Sequence, residues 1–306
     1  MGSQRIVPCI WLDDQAEAAA SFYAATFPNG RIEALMRYPR GAPNPAGRPP
    51  GSVLTVDFSV AGLRLTLLNA GPSHRPNPSV SFHVVLPEEE AVDALHAVLV
   101  EGGMEAMPLG AYPWSPRYAW VQDRFGVSWQ LMARADVAEA TALPALMFAG
   151  PHHGRARDAI TLYATVFPDT RVGHVTDFGE DEGGEAGTVK QAALDLFGQP
   201  LVAMDGGAFH AFGFDEGVSL QVYCTDQAEV DRFASALAAE GGEEGPCGWV
   251  RDRFGLWWKV VPEVVQHWLT VDDEAARERV FHALMPMRRL DLATLERAFR
   301  GAGDRA

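Results

Sequence analysis

Asp123-Arg124-Phe125-Gly126-Val127-Ser128-Trp129-Gln130 recurs further on as Asp252-Arg253-Phe254-Gly255-Leu256-Trp257-Trp258-Lys259. Each stretch reads as a tight turn feeding a strand, with glycine where a positive φ is needed. Working back from the two turns, Val80-Ser81-Phe82-His83-Val84 matches Val218-Ser219-Leu220-Gln221-Val222. Further upstream, Phe22-Tyr23 with Phe27-Pro28 matches Leu162-Tyr163 with Phe167-Pro168. Three matches in one order make chance a poor explanation, so the chain is two copies of one unit plus a tail. The spacing places the first domain at 1–138, the second at 143–262 and the tail at 263–306.

In the first copy, an apolar strand at 6–12 precedes an alanine-rich helix at 14–26, whose acidic start suits the positive end of the helix dipole. Phe27-Pro28-Asn29-Gly30 stops that helix. Strands follow at 31–38, 53–60 and 63–69, the last two joined by a tight hairpin at Ala61-Gly62. The order then repeats: a strand at 80–86, a helix at 88–101 ended by Gly102-Gly103, and strands at 104–109, 117–122 and 127–133. Each copy is therefore βαβββ-βαβββ, and helices mixed with hairpins argue an α+β fold with antiparallel sheet. Segments 39–51 and 177–187 interrupt this pattern and read as solvated loops or as flaps over a pocket. Beyond Pro262, helices are expected at 263–269, 273–285 and 291–299, a packing appendage or the contact element of a homodimer.

Composition narrows the function classes. The 306 residues are 47% apolar and 21% charged, the balance of a folded soluble protein. No run approaches the roughly 20 apolar residues that a bilayer span needs, so no membrane partner is expected. No secretory pattern opens the chain, and a cytoplasmic location is the expectation. With 25 basic and 40 acidic residues the formal charge is −15, which repels phosphate backbones and argues against nucleic acid. Cys9, Cys224 and Cys247 form no metal-type pair and read as reduced thiols.

Several motifs together resemble one family. They are Ile6-Val7-Pro8-Cys9-Ile10-Trp11-Leu12 ahead of Phe22-Tyr23, Gly71-Pro72, the stretch from Cys247 to Gly255, and Leu284-Met285-Pro286-Met287-Arg288-Arg289-Leu290-Asp291-Leu292-Ala293 with Leu295. The chain is similar to the PhnB-like branch of the vicinal oxygen chelate superfamily, whose members often carry a 3-demethylubiquinone 3-methyltransferase-like label. The resemblance covers essentially the whole chain. It implies two tandem glyoxalase/bleomycin-resistance-type domains, each with paired βαβββ modules forming a cupped sheet around a cavity. It also implies a divalent metal held by a His on the first strand of each module and a Glu on the last, acting as a Lewis acid.

At those positions this sequence departs from the family pattern. Gln130 and Lys259 stand where the last-strand Glu is expected, and Ser79 and Gly217 fall near the middle-strand His. The first strands offer Pro8 and Cys9, or Ala145 and Leu146. A neutral amide is a feeble ligand and an ammonium has no free lone pair, so neither metal nor other cofactor is expected. His74, His83, His96, His152, His153, His174 and His210 read as structural or solvent-facing. Methyl transfer is disfavoured because no glycine-rich strand-to-helix turn is present to cradle a nucleotide-like donor.

Alternation directs Gln130 and Lys259 inward, with Trp129 and Trp258 packed beneath helices. A lysine in a low-dielectric cup must pair with an anion, shift its pKa or open to water. The expected function is binding of a small organic ligand in a metal-free cup through Trp11, His83, Trp120, Gln130, Gln221 and Lys259. The alternative is an enzyme, metal-independent or with an unusual metal site, of lyase, isomerase or dioxygenase type. Cys247 reads as a small buried thiol. Because Gln130 and Lys259 differ, at most one cup is expected to keep a competent site.

Overall fold

The computed structural model describes residues 4–41, 44 and 46–301, so part of the 39–51 loop (42, 43 and 45) lies outside the described residues. The first copy runs β1 (Ile6–Leu12), α1 (Ala16–Thr26), β2 (Arg31–Arg37), β3 (Val53–Val60), β4 (Leu63–Asn69), then β5 (Val80–Leu86), α2 (Glu89–Leu99), β6 (Met104–Tyr112), β7 (Ser115–Gln122), β8 (Ser128–Ala133). The second runs β9 (Thr141–Phe148), α3 (Ala156–Val166), β10 (Arg171–Asp177), β11 (Val189–Leu196), β12 (Gln199–Asp205), then β13 (Val218–Cys224), α4 (Gln227–Leu237), β14 (Glu243–Glu244), β15 (Trp249–Arg251), β16 (Trp257–Pro262). Three helices finish the chain: α5 (Glu263–Thr270), α6 (Glu274–Leu284) and α7 (Leu292–Arg300).

Local chemistry accounts for the element ends. The β3–β4 hairpin turns at Ala61 (φ 44°) and Gly62 (φ 81°), and Phe197 (φ 54°) and Gly198 (φ 83°) repeat that geometry between β11 and β12. Helix α1 starts at Ala16, two residues later than its acidic start implies, because Asn69 Oδ1 at the end of β4 accepts from the Ala16 N–H (2.9 Å). Asp205 does the same for Ala156 in α3 (3.0 Å). Asp273 and Asp291 cap α6 and α7 from just outside, each accepting a backbone N–H three residues on.

Each expected pairing of two βαβββ modules is present, but the partners come from different copies. One eight-stranded sheet has the order β14-β15-β16-β13-β1-β4-β3-β2, and the other β10-β11-β12-β9-β5-β8-β7-β6. Thus β1 lies antiparallel to β13 (Ile6 opposite Val222), and β5 antiparallel to β9 (Val80 opposite Leu146). The connections explain this. Residues 134–140 are short enough to lay β9 straight along the free edge of β5, whose backbone groups need partners. Residues 70–79 and 206–217 cross between the sheets and meet: Asn77 Nδ2 donates to Asp215 Oδ2 (2.9 Å) and the Gly213 carbonyl (3.1 Å).

Modules of the same copy meet instead through their helix-covered faces, in one buried cluster fed by both sheets. Its centre in the first copy is Trp129, with Tyr23 and Phe27 ring centroids at 5.3 and 4.4 Å. Asp123 is the polar hub. Its Oδ1 accepts from the Phe125 and Val127 N–H groups (2.8 and 3.1 Å), and its Oδ2 from Tyr23 Oη–H and Trp129 Nε1–H (2.7 and 2.8 Å). Asp252 repeats every bond with Phe254, Leu256, Tyr163 and Trp258. The aspartate turn and the tyrosine motif that reveal the repeat in the sequence are therefore two halves of one contact.

A second cluster joins Val7, Tyr223 and Val261 of the first sheet to Val265, Trp268, Val280, Leu284, Leu290 and Leu295 of the tail. The tail is thus an integral layer of the fold. None of the described helices is long and apolar enough to cross a membrane.

Candidate functional site

Register decides which side chains face each cup. In the first sheet Cys9 lies beside Thr66 and Gln221 beside Lys259, so these four alternate with the helix-facing Leu65, Leu67 and Trp258. Above them is a cavity of about 440 Å³ walled by Trp11, Trp249 and Trp257. The tail roofs it with Val265, Leu269, Phe281 and Leu284. Its polar floor is a chain in which Gln221 Nε2 donates to Thr66 Oγ1 (2.9 Å), whose hydroxyl donates to Asp57 Oδ1 (2.6 Å). Burial raises the Asp57 carboxyl above the ordinary range. Trp11 is held by Nε1 donating to the Gly71 carbonyl (2.8 Å), and its ring meets His74 edge-on at 4.8 Å.

Lys259 is half-buried, with Nζ 5.9 Å from the Trp249 ring centroid. Glu216 at the cup's rim already pairs with His74 (3.3 Å), and among the described residues no carboxylate stands within ion-pair distance of Lys259. Cys247 also lines the cup, and its thiol donates to the Met285 carbonyl (3.3 Å). Burial raises the Cys247 pKa, which disfavours the nucleophilic thiolate.

The second cup holds the other expected residues, and it is arranged differently. Gln130 is pinned at both ends: Tyr118 Oη donates to its Oε1 (2.7 Å), and its Nε2 donates to Ser81 Oγ (2.9 Å). Trp120 Nε1 donates to Ser128 Oγ (2.7 Å). Tyr112 stacks on Trp114 at 5.1 Å, and both rings meet Tyr118 edge-on. His83 is 5% exposed with no partner on Nε2, and burial pushes its pKa down to about 4. The structure therefore brings Trp11, Gln221 and Lys259 together and separates them from His83, Trp120 and Gln130. A grouping by sequence copy, with Trp11 beside Gln130, does not occur, because the sheets are shared between copies.

His83 makes stability depend on pH. An ordinary imidazole in the unfolded chain protonates near 6.5, whereas the folded one does so only near 4. Between those values only the unfolded state takes up this proton, so stability falls as pH drops through the window. At pH 5 the expected loss from this group is about 2 kcal/mol. His83→Gln should flatten that part of the difference between urea unfolding curves at pH 7 and pH 5; an unchanged difference would contradict the assignment.

The donor set does not fit the divalent metal that the fold family implies. The first cup presents Cys9, Thr66, Gln221 and Lys259, and burial raises the Cys9 pKa to about 11, holding it as a neutral thiol at neutral pH. In the second cup the corresponding register positions are His83, Gln130, Ala145 and Val202, with a single imidazole among them. At Gly217, near one expected His, a β-carbon would collide with the Arg75 carbonyl, so no side chain could stand there. Among the described residues no three His, Cys, Asp or Glu side chains converge for a metal. His96 and His153 are engaged by Glu105 and Glu185 at 2.7 and 2.9 Å.

Sequence reasoning left out Thr66 and the tail residues as parts of the site. Thr66 could have been found by aligning modules within a copy, since β4 and β8 close equivalent modules. The tail carries no such signal, because its apolar positions read equally well as a dimer face.

The family model described as 3-demethylubiquinone-9 3-methyltransferase matches residues 4–132 and 140–261, one match per copy. The chain belongs to this PhnB-like family. The PhnB protein from Bacillus cereus is 30% identical over 43% of this chain and 100% of its own, with a TM-score of 0.39. Protein PA1353 from Pseudomonas aeruginosa is 25% identical over 43% of this chain and 98% of its own, with a TM-score of 0.37. Glyoxalase I from Zea mays, 14% identical, covers 83% of this chain and 90% of its own at a TM-score of 0.51, a likeness of fold. No curated protein matches. The glyoxalase-like fold is the architecture that the resemblance to the vicinal oxygen chelate superfamily implies.

Proposed function

We propose that the chain binds one small organic ligand, in the first cup only. The observation that carries this is the cavity of about 440 Å³ between Trp11, Trp249 and Trp257, with Lys259, Gln221 and Thr66 as its few polar groups. Mostly apolar walls with a small number of placed polar atoms are the usual make-up of a small-molecule site. The second cup supports the same reading by contrast, since Gln130 there already spends both ends of its amide on Tyr118 and Ser81.

Calorimetric titration with planar probes of naphthalene size, neutral and charged, tests this. One site per chain is expected. Trp249→Ala should weaken it about tenfold or more, the loss of a large aromatic contact, while Gln130→Ala leaves it unchanged. Two sites, or equal losses from both variants, would overturn the proposal. A metal-independent enzyme is the second reading, and one observation favours it: the floor chain from Gln221 through Thr66 ends on the half-buried Asp57 carboxyl. Mass detection of a product from a bound ligand decides between binder and enzyme.

A further inference from the structure

We infer that the ligand of the first cup is an organic anion, its charged oxygen set against Lys259 and its planar body against the tryptophan wall. This deepens the reading of that cup as the binding site and rests on it. The chain has only two lysines, Lys190 and Lys259, and otherwise uses arginine for positive charge. Lys190 is neutralised on the surface by Glu182 at 3.1 Å. Lys259 instead projects from β16 among tryptophans, half-buried and without a carboxylate in ion-pair distance among the described residues. A charge taken partly out of water with only the Trp249 ring face to offset it is costly, and a ligand that supplies the opposite charge removes that cost.

The remaining groups around the cup agree. Glu216 at the rim lies against His74 and stands outside ion-pair distance of the ammonium. The chain's overall charge of −15 disfavours approach of any anion, which makes a local cation the necessary feature for admitting one. Trp249 lies 6.5 Å from Trp11 and 6.1 Å from Trp257 between ring centroids, the rings tilted by 56° and 73°, so the three indoles wall an angular aromatic pocket beside Nζ. A flat body stacked on one of these rings and edged by the others keeps an attached carboxylate within reach of the lysine's flexible stem, a point charge with three donors.

The test uses 2-naphthoate and 2-naphthamide, which share shape and differ in charge. By calorimetry on the full chain, the acid is expected to bind at least about tenfold tighter, as a charge-assisted hydrogen bond provides. That preference should survive Lys259→Arg and vanish in Lys259→Met. An independent readout needs no variant: amine acetylation followed by peptide mass spectrometry, with Lys190 as internal reference. Naphthoate should protect Lys259 and leave Lys190 as reactive as before. Equal binding of acid and amide, or a preference that persists in Lys259→Met, overturns the anion inference and leaves the cup reading standing. Binding of neither probe, with Lys259 unprotected, overturns both.

Discussion

Truncation after Pro262 is expected to lower the unfolding free energy by about 6 kcal/mol, the largest effect of any change considered. The tail helices bury Val7, Tyr223 and Val261 on the first sheet, and each such side chain contributes about 1.5–3 kcal/mol when removed from water. Directional bonds also hold the tail in place. The Cys247 and Gly248 N–H groups donate to the Met287 and Arg288 carbonyls (2.6 and 2.8 Å). Gln227 both donates to the Leu290 carbonyl (3.0 Å) and accepts from the Leu292 N–H (2.8 Å). The same truncation unroofs the cup by removing Leu269, Phe281 and Leu284, so probe binding should disappear with it. Urea unfolding of the truncated and full chains measures this. A loss under about 1 kcal/mol would show that the tail is a mere appendage.

Asp252→Ala is expected to cost about 4 kcal/mol, although the residue touches neither cup. Its carboxylate is the only acceptor in the described hydrogen bonds for Tyr163 Oη–H and Trp258 Nε1–H, and it also closes the turn through the Phe254 and Leu256 N–H groups. Alanine leaves four donors in a region where the tyrosine and tryptophan are fully buried, and orphaned buried donors carry most of the penalty. Asp252→Asn should recover part of the loss, since its amide oxygen still accepts while its NH₂ group faces donors. Chemical denaturation of both variants tests the order. If Asp252→Ala were as stable as the parent, the hub would have no energetic role.

These two effects show where sequence reading succeeds and where it stops. The alternation that sent Trp129 inward to the helices and Lys259 to the cup is correct, because strand periodicity is a local property of the chain. Strands β3, β4 and β5 fall at their expected residues for the same reason. Pairing of β1 with β13 is not local. The second module of either copy offers β1 the same apolar pattern, and the short 134–140 link, by laying β9 along β5, leaves β13 for β1. Trp11 and Lys259 could therefore be named singly from the sequence, but not placed in one cavity. Asp123 and Asp252 were visible as turn residues; their bonds to Tyr23 and Tyr163 join segments about a hundred residues apart, which no spacing rule reveals.

The central claim is that the ligand cup is built jointly, by the first module of one copy and the second module of the other. Cys9 on β1 and Ser219 on β13 are directly opposite across the two copies, a separation that a disulfide can span. Ser219→Cys, oxidised and digested, should yield a Cys9–Cys linkage within a single chain, read as a cross-linked peptide pair in protein that still runs as a monomer under denaturing, non-reducing conditions. Failure to form the bond, or a bond found only between two chains, would contradict a cup shared between the copies of one molecule.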